Sequence, residues 1–222
     1  MNSLRVWDLA VRLFHWALLI LVVISVTTGL TGGNAMAWHV RSGTLILGLL
    51  LFRWCWGFIG STTARFVDFL HGPRRVFEFT CDLLRNRQAL VAGHNPLGGW
   101  MVLFMLLSLT LQAITGLFAD DEIFTTGPLA HLVSGSTISL LTSIHDINAW
   151  IVISLVTVHV AAVLFHLVVR RENLMSPMIT GRKSWPEDMP RPMLRFTPAW
   201  GAALLFLFTL GTVFATLSLL GN

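Results

Sequence analysis

The sequence predicts an all-α integral membrane protein, a four-helix bundle plus an additional C-terminal transmembrane helix. Composition, run length and charge placement lead to that class. Of 222 residues, 55% are hydrophobic and only 12% charged, and the mean hydropathy is +0.72, beyond what a water-soluble core requires. The apolar residues form continuous runs of about 20 residues, enough for a helix rising ~1.5 Å per residue to cross ~30 Å of hydrocarbon. Strands of a membrane barrel would instead alternate over ~10-residue segments. Where no water satisfies backbone groups, helices remain.

Five spans are expected at 13–30, 39–58, 97–118, 145–169 and 198–220. The first follows Arg5 and Arg12 and stops at Gly32, Gly33 and Asn34; the second opens at His39. The third follows Asn95-Pro96, a helix-start signal, the fourth opens at His145, and the fifth follows the proline-rich stretch 186–198. Between spans two and three, Pro73 is expected to start a further helix. Val76, Phe77, Thr80, Leu83 and Leu84 would take one side and Arg74, Glu78, Arg85 and Arg87 the other, so that it lies on the membrane surface. A solvated connector is the alternative. The stretch from Arg5 to Thr28, with Ala35-Met36-Ala37 beyond it, has the outline of a signal peptide, but Trp7, Asp8 and the long apolar core speak against cleavage, and the chain keeps Met1. Residues 1–183 are expected to form the bundle domain and 184–222 a cytoplasmic linker and the fifth helix.

Basic residues lie on one side of this arrangement. Arg5 and Arg12 precede span one; Arg65, Arg74, Arg75, Arg85 and Arg87 follow span two; Arg170, Arg171, Arg182, Lys183, Arg191 and Arg195 follow span four. The loop after span one has no cation, and that after span three carries Asp120, Asp121 and Glu122. The positive-inside rule then places the N-terminus in the cytoplasm and the end at Gly221-Asn222 outside, in the periplasm. The net charge of +4 reflects this bias and not a nucleic-acid partner.

Ionisable groups at membrane depth are costly and usually functional. His145 and His159 stand 14 residues apart on one predicted helix, hence on one face to within about 40° and ~21 Å apart along the axis. His39 opens span two level with His145, and His15 lies about 22 Å below the outer end of span one, at the depth of His159. Two level pairs result, His39 with His145 and His15 with His159. A flat macrocycle clamped between helices takes one imidazole from each, with iron using both axial positions. Single histidines at helix ends are commonly interfacial; four that pair by depth are harder to read that way.

Gly43, one turn beyond His39, together with Gly48, Gly29 and Gly116, would let a porphyrin approach the backbone, with plain helix packing as the alternative. Arg41, the one cation near the outer surface, would pair with a haem propionate, with reaching out to water as the alternative. Arg53 could pair with a propionate on the inner side but reads better as reaching out to water, as His166 would at its interface, while His71, His94 and His131 read as solvated or structural loop residues. Cys55 and Cys81 support neither a disulfide framework nor a zinc cluster, and without a C-x-x-C-H sequence covalent haem attachment is excluded.

These residues resemble the bacterial cytochrome b561 / nickel-iron hydrogenase b-type cytochrome family. The likeness is carried by Val6-Trp7-Asp8 and Arg12-Leu13-Phe14-His15-Trp16, by His39 with Gly43, and by Phe52-Arg53-Trp54 and Trp56-Gly57-Phe58. It continues in Gly93-His94-Asn95-Pro96-Leu97-Gly98-Gly99-Trp100, Thr115-Gly116-Leu117-Phe118-Ala119-Asp120-Asp121, Gly127-Pro128-Leu129-Ala130-His131, His145 and His159, covering about residues 5 to 183. The resemblance implies a four-helix bundle holding two non-covalent b haems, with His15, His39, His145 and His159 as axial ligands. It implies an inner-membrane electron carrier between the quinone pool and a periplasmic redox partner, a c-type cytochrome or hydrogenase-like enzyme. The fifth span exceeds that core.

Quinone is expected at the inner side near His15, His94 and Asn95, although Asn95-Pro96 also simply starts span three. Asp120, Asp121 and Glu122 would steer a cationic partner or form a solvated face. Two other classes compete. A transporter would use the histidines as a proton relay but lacks the broken helices and inverted repeats of carriers. A cofactor-free anchor subunit would tolerate loss of His39.

Overall fold

The computed structural model describes residues 2–85, 87, 90–123 and 125–221. Met1 and Asn222, on which the expectations about the two ends rest, lie outside the described residues. In chain order the elements are β1 (Asn2–Arg5), α1 (Leu9–Thr31), α2 (Met36–Ile59), α3 (Phe66–Phe69), α4 (Pro73–Leu84), α5 (Pro96–Gly116), α6 (Gly135–Val168), α7 (Met175–Thr180), β2 (Arg182–Trp185) and α8 (Ala199–Leu220). Among the described residues, five helices are long and apolar enough to cross a membrane, and they correspond to the five expected spans.

Local chemistry sets the helix ends. Asp8 caps α1 by accepting the Val11 N–H at 2.7 Å, and its other oxygen accepts the indole N–H of buried Trp56 at 3.2 Å. Gly32 and Gly33 turn the chain into α2 at φ +68° and +55°, a region that residues with a Cβ rarely adopt. Asn95 caps α5 through the Gly98 N–H at 2.7 Å, with Pro96 in the first turn where no N–H is needed. α4 begins at Pro73 as expected and leaves Phe77 and Leu84 exposed. Removing the Asp8 carboxylate in Asp8→Ala loses the cap and orphans a buried indole. A loss of about 2–4 kcal/mol is expected, with Asp8→Asn retaining the cap and losing less, as read by thermal denaturation in detergent.

One boundary differs from expectation. The fourth spanning helix begins at Gly135 instead of residue 145. Its first turns are rich in Ser and Thr, which read as loop, but they fold their hydroxyls back onto the helix. Thr142 donates to the Ile138 carbonyl and Ser143 to that of Ser139, both at 2.9 Å, and Ser134 caps the start.

α1 packs against α2, α5 against α6, and the two hairpins meet along α2 and α5. α2 supplies much of the core through Ile46, Leu49, Leu50, Phe52 and Trp56. Its outer flank is covered by α8, where Gly48 lies against Leu210 so closely that a Cβ would stand 2.7 Å from Leu210 Cδ1. Gly48 therefore admits the fifth helix and not a porphyrin, which is the helix-packing alternative of the sequence reading. Ala202 of α8 belongs to the shared core.

At the arginine-rich end, β1 and β2 form a two-stranded antiparallel sheet, Asn2 opposite Trp185 and Arg5 opposite Arg182. Strands this short and distant in sequence leave no periodic signal. The Val6 and Trp7 N–H groups donate to the Gly181 carbonyl at 2.8 and 3.2 Å, and the Arg12 guanidinium donates to that of Ile179. Thr63 ties in the loop after α2 by donating to the Val6 carbonyl at 2.6 Å.

Nearby, Glu172 accepts from Lys183 at 2.7 Å and lies 3.0 Å from His166 Nδ1. Burial pushes the Glu172 carboxyl up, but the hydrogen bonds and charges of Lys183 and His166 outweigh it and hold it below its ordinary 4.5. Because the folded value is depressed, the contribution of this clasp is full above pH 4.5 and is lost as pH falls through the lower folded value. Amide exchange at residues 182–185 is expected to rise on acidification, and Glu172→Gln to remove that acid dependence.

Candidate functional site

Four histidines from three spanning helices, His15 on α1, His39 on α2 and both His145 and His159 on α6, meet in two pairs inside the bundle. The ring centres of His39 and His145 are 6.0 Å apart, and those of His15 and His159 are 6.4 Å apart. Two metal–imidazole bonds of ~2.0 Å, plus about 1.1 Å from each nitrogen to its ring centre, give ~6.2 Å for two imidazoles on opposite sides of one metal ion. Both pairs have that spacing. Two nitrogens cannot fill a four-coordinate structural site, but they suit the two axial positions of a macrocycle that supplies its own equatorial donors.

The upper pair is held by one device used twice. The Nδ1 of His39 lies 2.8 Å from the Ser25 carbonyl of α1, and the Nδ1 of His145 lies 3.0 Å from the Gln112 carbonyl of α5. In each case the imidazole N–H donates to the carbonyl, which leaves Nε2 as the free donor atom, the usual outer-sphere support of a metal-bound histidine. Four residues beyond each carbonyl stands a glycine. A Cβ on Gly29 would lie 2.9 Å from His39 Nδ1, and one on Gly116 2.8 Å from His145 Cε1. Sequence reading leaves these glycines as room for a porphyrin or for plain helix packing; they make room for the imidazoles.

Between these helices is a cavity of about 330 Å³, lined by both histidines, Gly29, Gly43, Gly116, Gln112 and otherwise mainly apolar side chains. A Cβ built on Gly43 meets nothing within 4 Å, so Gly43 opens onto this space. A flat apolar group with a metal centre fits the observed donor set, the ring spacing and the glycine-lined walls. Arg41 is not brought to the cavity. Two residues past His39 is a rotation of about 200°, and its guanidinium sits 5.3 Å over the exposed Trp38 ring.

The lower pair has different neighbours. His15 Nδ1 is buried without a hydrogen-bond partner among the described residues, and the ring stands edge-on to Trp16. His94, expected in solvent or in a structural loop role, is packed between Trp7 and Phe69, with ring centres 4.7 and 4.6 Å away. Burial first, and then the charge of Arg53 and the nearby His159 and His15, push the His94 imidazole down to about 3, so it is neutral. Arg53 does not extend to water as expected. It is 2% exposed, because its stem runs inward among aromatic rings.

The other histidines lie away from both pairs. His71 Nδ1 donates to the Phe69 carbonyl at 2.8 Å, His131 is exposed, and His166 pairs with Glu172. In the loop after α5, Asp120 accepts the Glu122 N–H, and Asp121 accepts those of Ile123 and Thr125, so these carboxylates shape the turn.

Sequence reading misses a buried polar cluster beside His145. Asn148 donates to the Gln112 side chain at 2.7 Å and to the Ser108 carbonyl at 2.9 Å, while Ser108 donates back to Asn148 at 2.9 Å. The cluster steadies the turn whose carbonyl orients His145. Its signal in sequence is faint, an Asn three residues after a histidine in an otherwise apolar run.

A family model described as prokaryotic cytochrome b561 matches residues 6–181. Among curated relatives, the chain is 25% identical to a probable Ni/Fe-hydrogenase B-type cytochrome subunit of Rhodobacter capsulatus, over 84% of each chain. It is also 25% identical to the protein of that description from Rhizobium leguminosarum bv. viciae, over 82% of this chain and 89% of the relative. With the one from Azotobacter chroococcum it shares 24% over 85% and 92%. No solved structure matches the chain. With four histidines paired between three of five apolar helices and the family match running through the first four of those helices, the chain belongs to the prokaryotic cytochrome b561 family.

Proposed function

We propose that this membrane b-type cytochrome holds two non-covalent b haems, one between His39 and His145 and one between His15 and His159, and carries electrons between the quinone pool and a periplasmic redox partner. The observation that carries this is the matched ring spacing of the two pairs, 6.0 and 6.4 Å. Each bound haem supplies a one-electron iron couple. The protein's part is to hold it. The imidazoles of each pair would hold the iron through Nε2, and iron held by two protein ligands would be poorly suited to small-molecule chemistry and well suited to outer-sphere transfer. The Ser25 and Gln112 carbonyls fix the upper imidazoles and strengthen them as ligands. Gly43 keeps the wall open, and the mainly apolar lining of the cavity suits the faces of a flat macrocycle. Residues 1–183 form the di-haem unit in this reading, with 184–222 as the linker and fifth helix.

Every basic segment lies at one end of the bundle, which supports a cytoplasmic N-terminus and a periplasmic C-terminal end in a bacterial inner membrane. Quinone is assigned to the cytoplasmic side near His15, His94 and Asn95. The Asn95 carbonyl oxygen is already engaged by Gly98, which leaves the side-chain amide N–H groups as donors toward a quinone oxygen. The partner is assigned to the opposite end, beside Asp120, Asp121 and Glu122. It is a c-type cytochrome or, as the hydrogenase in the relatives' descriptions suggests, a hydrogenase-like enzyme.

The test is a redox titration of the purified chain with haem counted as the pyridine haemochrome. Two b-type haems per chain with two resolved potentials, reducible by quinol, are expected. A colourless protein that moves protons would return the transporter reading, and a colourless inert one the anchor reading.

A further inference from the structure

The lower histidine pair lies beside a second recognition element that ligation does not use. Arg53 is 14 residues beyond His39 on α2. It therefore faces the bundle interior on the His39 side to within about 40°, ~21 Å lower, the same step that separates His145 from His159 on α6. At that depth α2 presents a guanidinium, 2% exposed, whose Nη1 has no hydrogen-bond partner among the described residues.

A buried guanidinium stays charged, and leaving one of its N–H groups unmade is among the more expensive defects a protein can hold. Asp8 is the acidic group that acts on it electrostatically, but both Asp8 oxygens are engaged, one by the Val11 N–H and one by the Trp56 indole. The Phe66 and Phe69 rings, 5.2 and 5.9 Å from the guanidinium carbon, shield the cation without offering a lone pair in the plane of its N–H groups. The same Phe69 ring packs against His94, 4.6 Å between ring centres, and the His94 Nδ1 is also buried and without a partner among the described residues. Two unsatisfied nitrogens thus adjoin one aromatic ring near His15, itself with an orphan Nδ1 among the described residues.

We infer that Arg53, with His94, forms a buried carboxylate site that holds a propionate of the haem gripped by His15 and His159. The inference rests on the haem reading above. A carboxylate matches the planar fork of arginine, supplies the missing anion, and leaves Asp8 free for its cap. The site is enclosed by Trp7, Phe66 and Phe69 at the arginine-rich end, so the carboxylate has to arrive on a group that the neighbouring histidines also hold.

The experiment reconstitutes the haem-free full chain with haem b or with its dimethyl ester, whose propionates cannot ionise. It measures affinity at the site that His159→Ala abolishes, together with both midpoint potentials. In the wild-type chain, esterification is expected to weaken that site 10–100-fold. Arg53→Gln is expected to weaken it by a similar factor for haem b and to lower one of the two potentials, whereas the ester adds little further loss in that variant. Arg53→Lys, which keeps the charge but not the fork, should fall between. The ester arm needs no variant, so a poorly folding substitution leaves the test standing. Wild-type affinity for the ester equal to that for haem b overturns the inference, as do losses from ester and Arg53→Gln that simply multiply. A wild-type chain that binds no haem of either kind overturns this inference together with the reading beneath it, whereas two tightly held haems indifferent to esterification leave that reading intact.

Discussion

His145→Ala is expected to bring the haem content from two per chain to one, with a single potential remaining. The substitution removes an imidazole whose partner ring lies 6.0 Å away, leaving His39 to hold one side of the metal alone. It also frees the Gln112 carbonyl, which then has its intrahelical bond as before, so the fold has little reason to change. The His15 and His159 pair is ~21 Å deeper and should retain its haem. Pyridine haemochrome analysis and far-ultraviolet circular dichroism on the same sample separate loss of cofactor from loss of fold. Retention of both haems in His145→Ala would show that this histidine is not a ligand.

Gly116→Ala should be nearly as damaging although it touches no donor atom. A methyl group there would lie 2.8 Å from His145 Cε1 and 3.3 Å from Nδ1, closer than side-chain carbons normally approach. The ring must turn or retreat, and either motion breaks the 3.0 Å bond to the Gln112 carbonyl. Outer-sphere partners of this kind are typically worth 10–100-fold in metal affinity, and that is the loss expected at the upper site. Gly29→Ala should repeat it from the other hairpin, since its methyl would stand 2.9 Å from His39 Nδ1. Affinity at the upper site unchanged in both variants would mean that the imidazoles are oriented some other way.

The spanning helices and the level pairing of the histidines were readable because both rest on regular repeats. An apolar run of sufficient length has few alternatives in a membrane, and 14 residues return a helix nearly to the same face. What was not readable depended on which way a side chain turns. Arg41 stands out in sequence as a cation in a place that cations avoid, a statement about membrane side. Its distance of two residues from His39 puts it on the opposite face. Arg53 ranks lower in sequence as a propionate partner because long cationic side chains usually reach for water, yet it shares the His39 face and is buried. Gly29, Gly48 and Gly116 looked alike in sequence, and only their neighbours, an imidazole for two and Leu210 for the third, distinguish them. The early start of α6 was hidden by hydroxyl side chains that bond to their own helix, and the β1 and β2 pairing by its great sequence separation.

The 14-residue step on α2 and α6 makes these helices tolerant of exchange but intolerant of a change in count. Inserting or deleting a single residue between His39 and Arg53, or between His145 and His159, would swing everything beyond it by about 100° and carry one functional group out of the bundle toward lipid. Adding seven residues would restore the angle but lift the group about 10 Å out of level with its opposite number. Between those positions, natural variation should consist of replacements, with length changes confined to the loops.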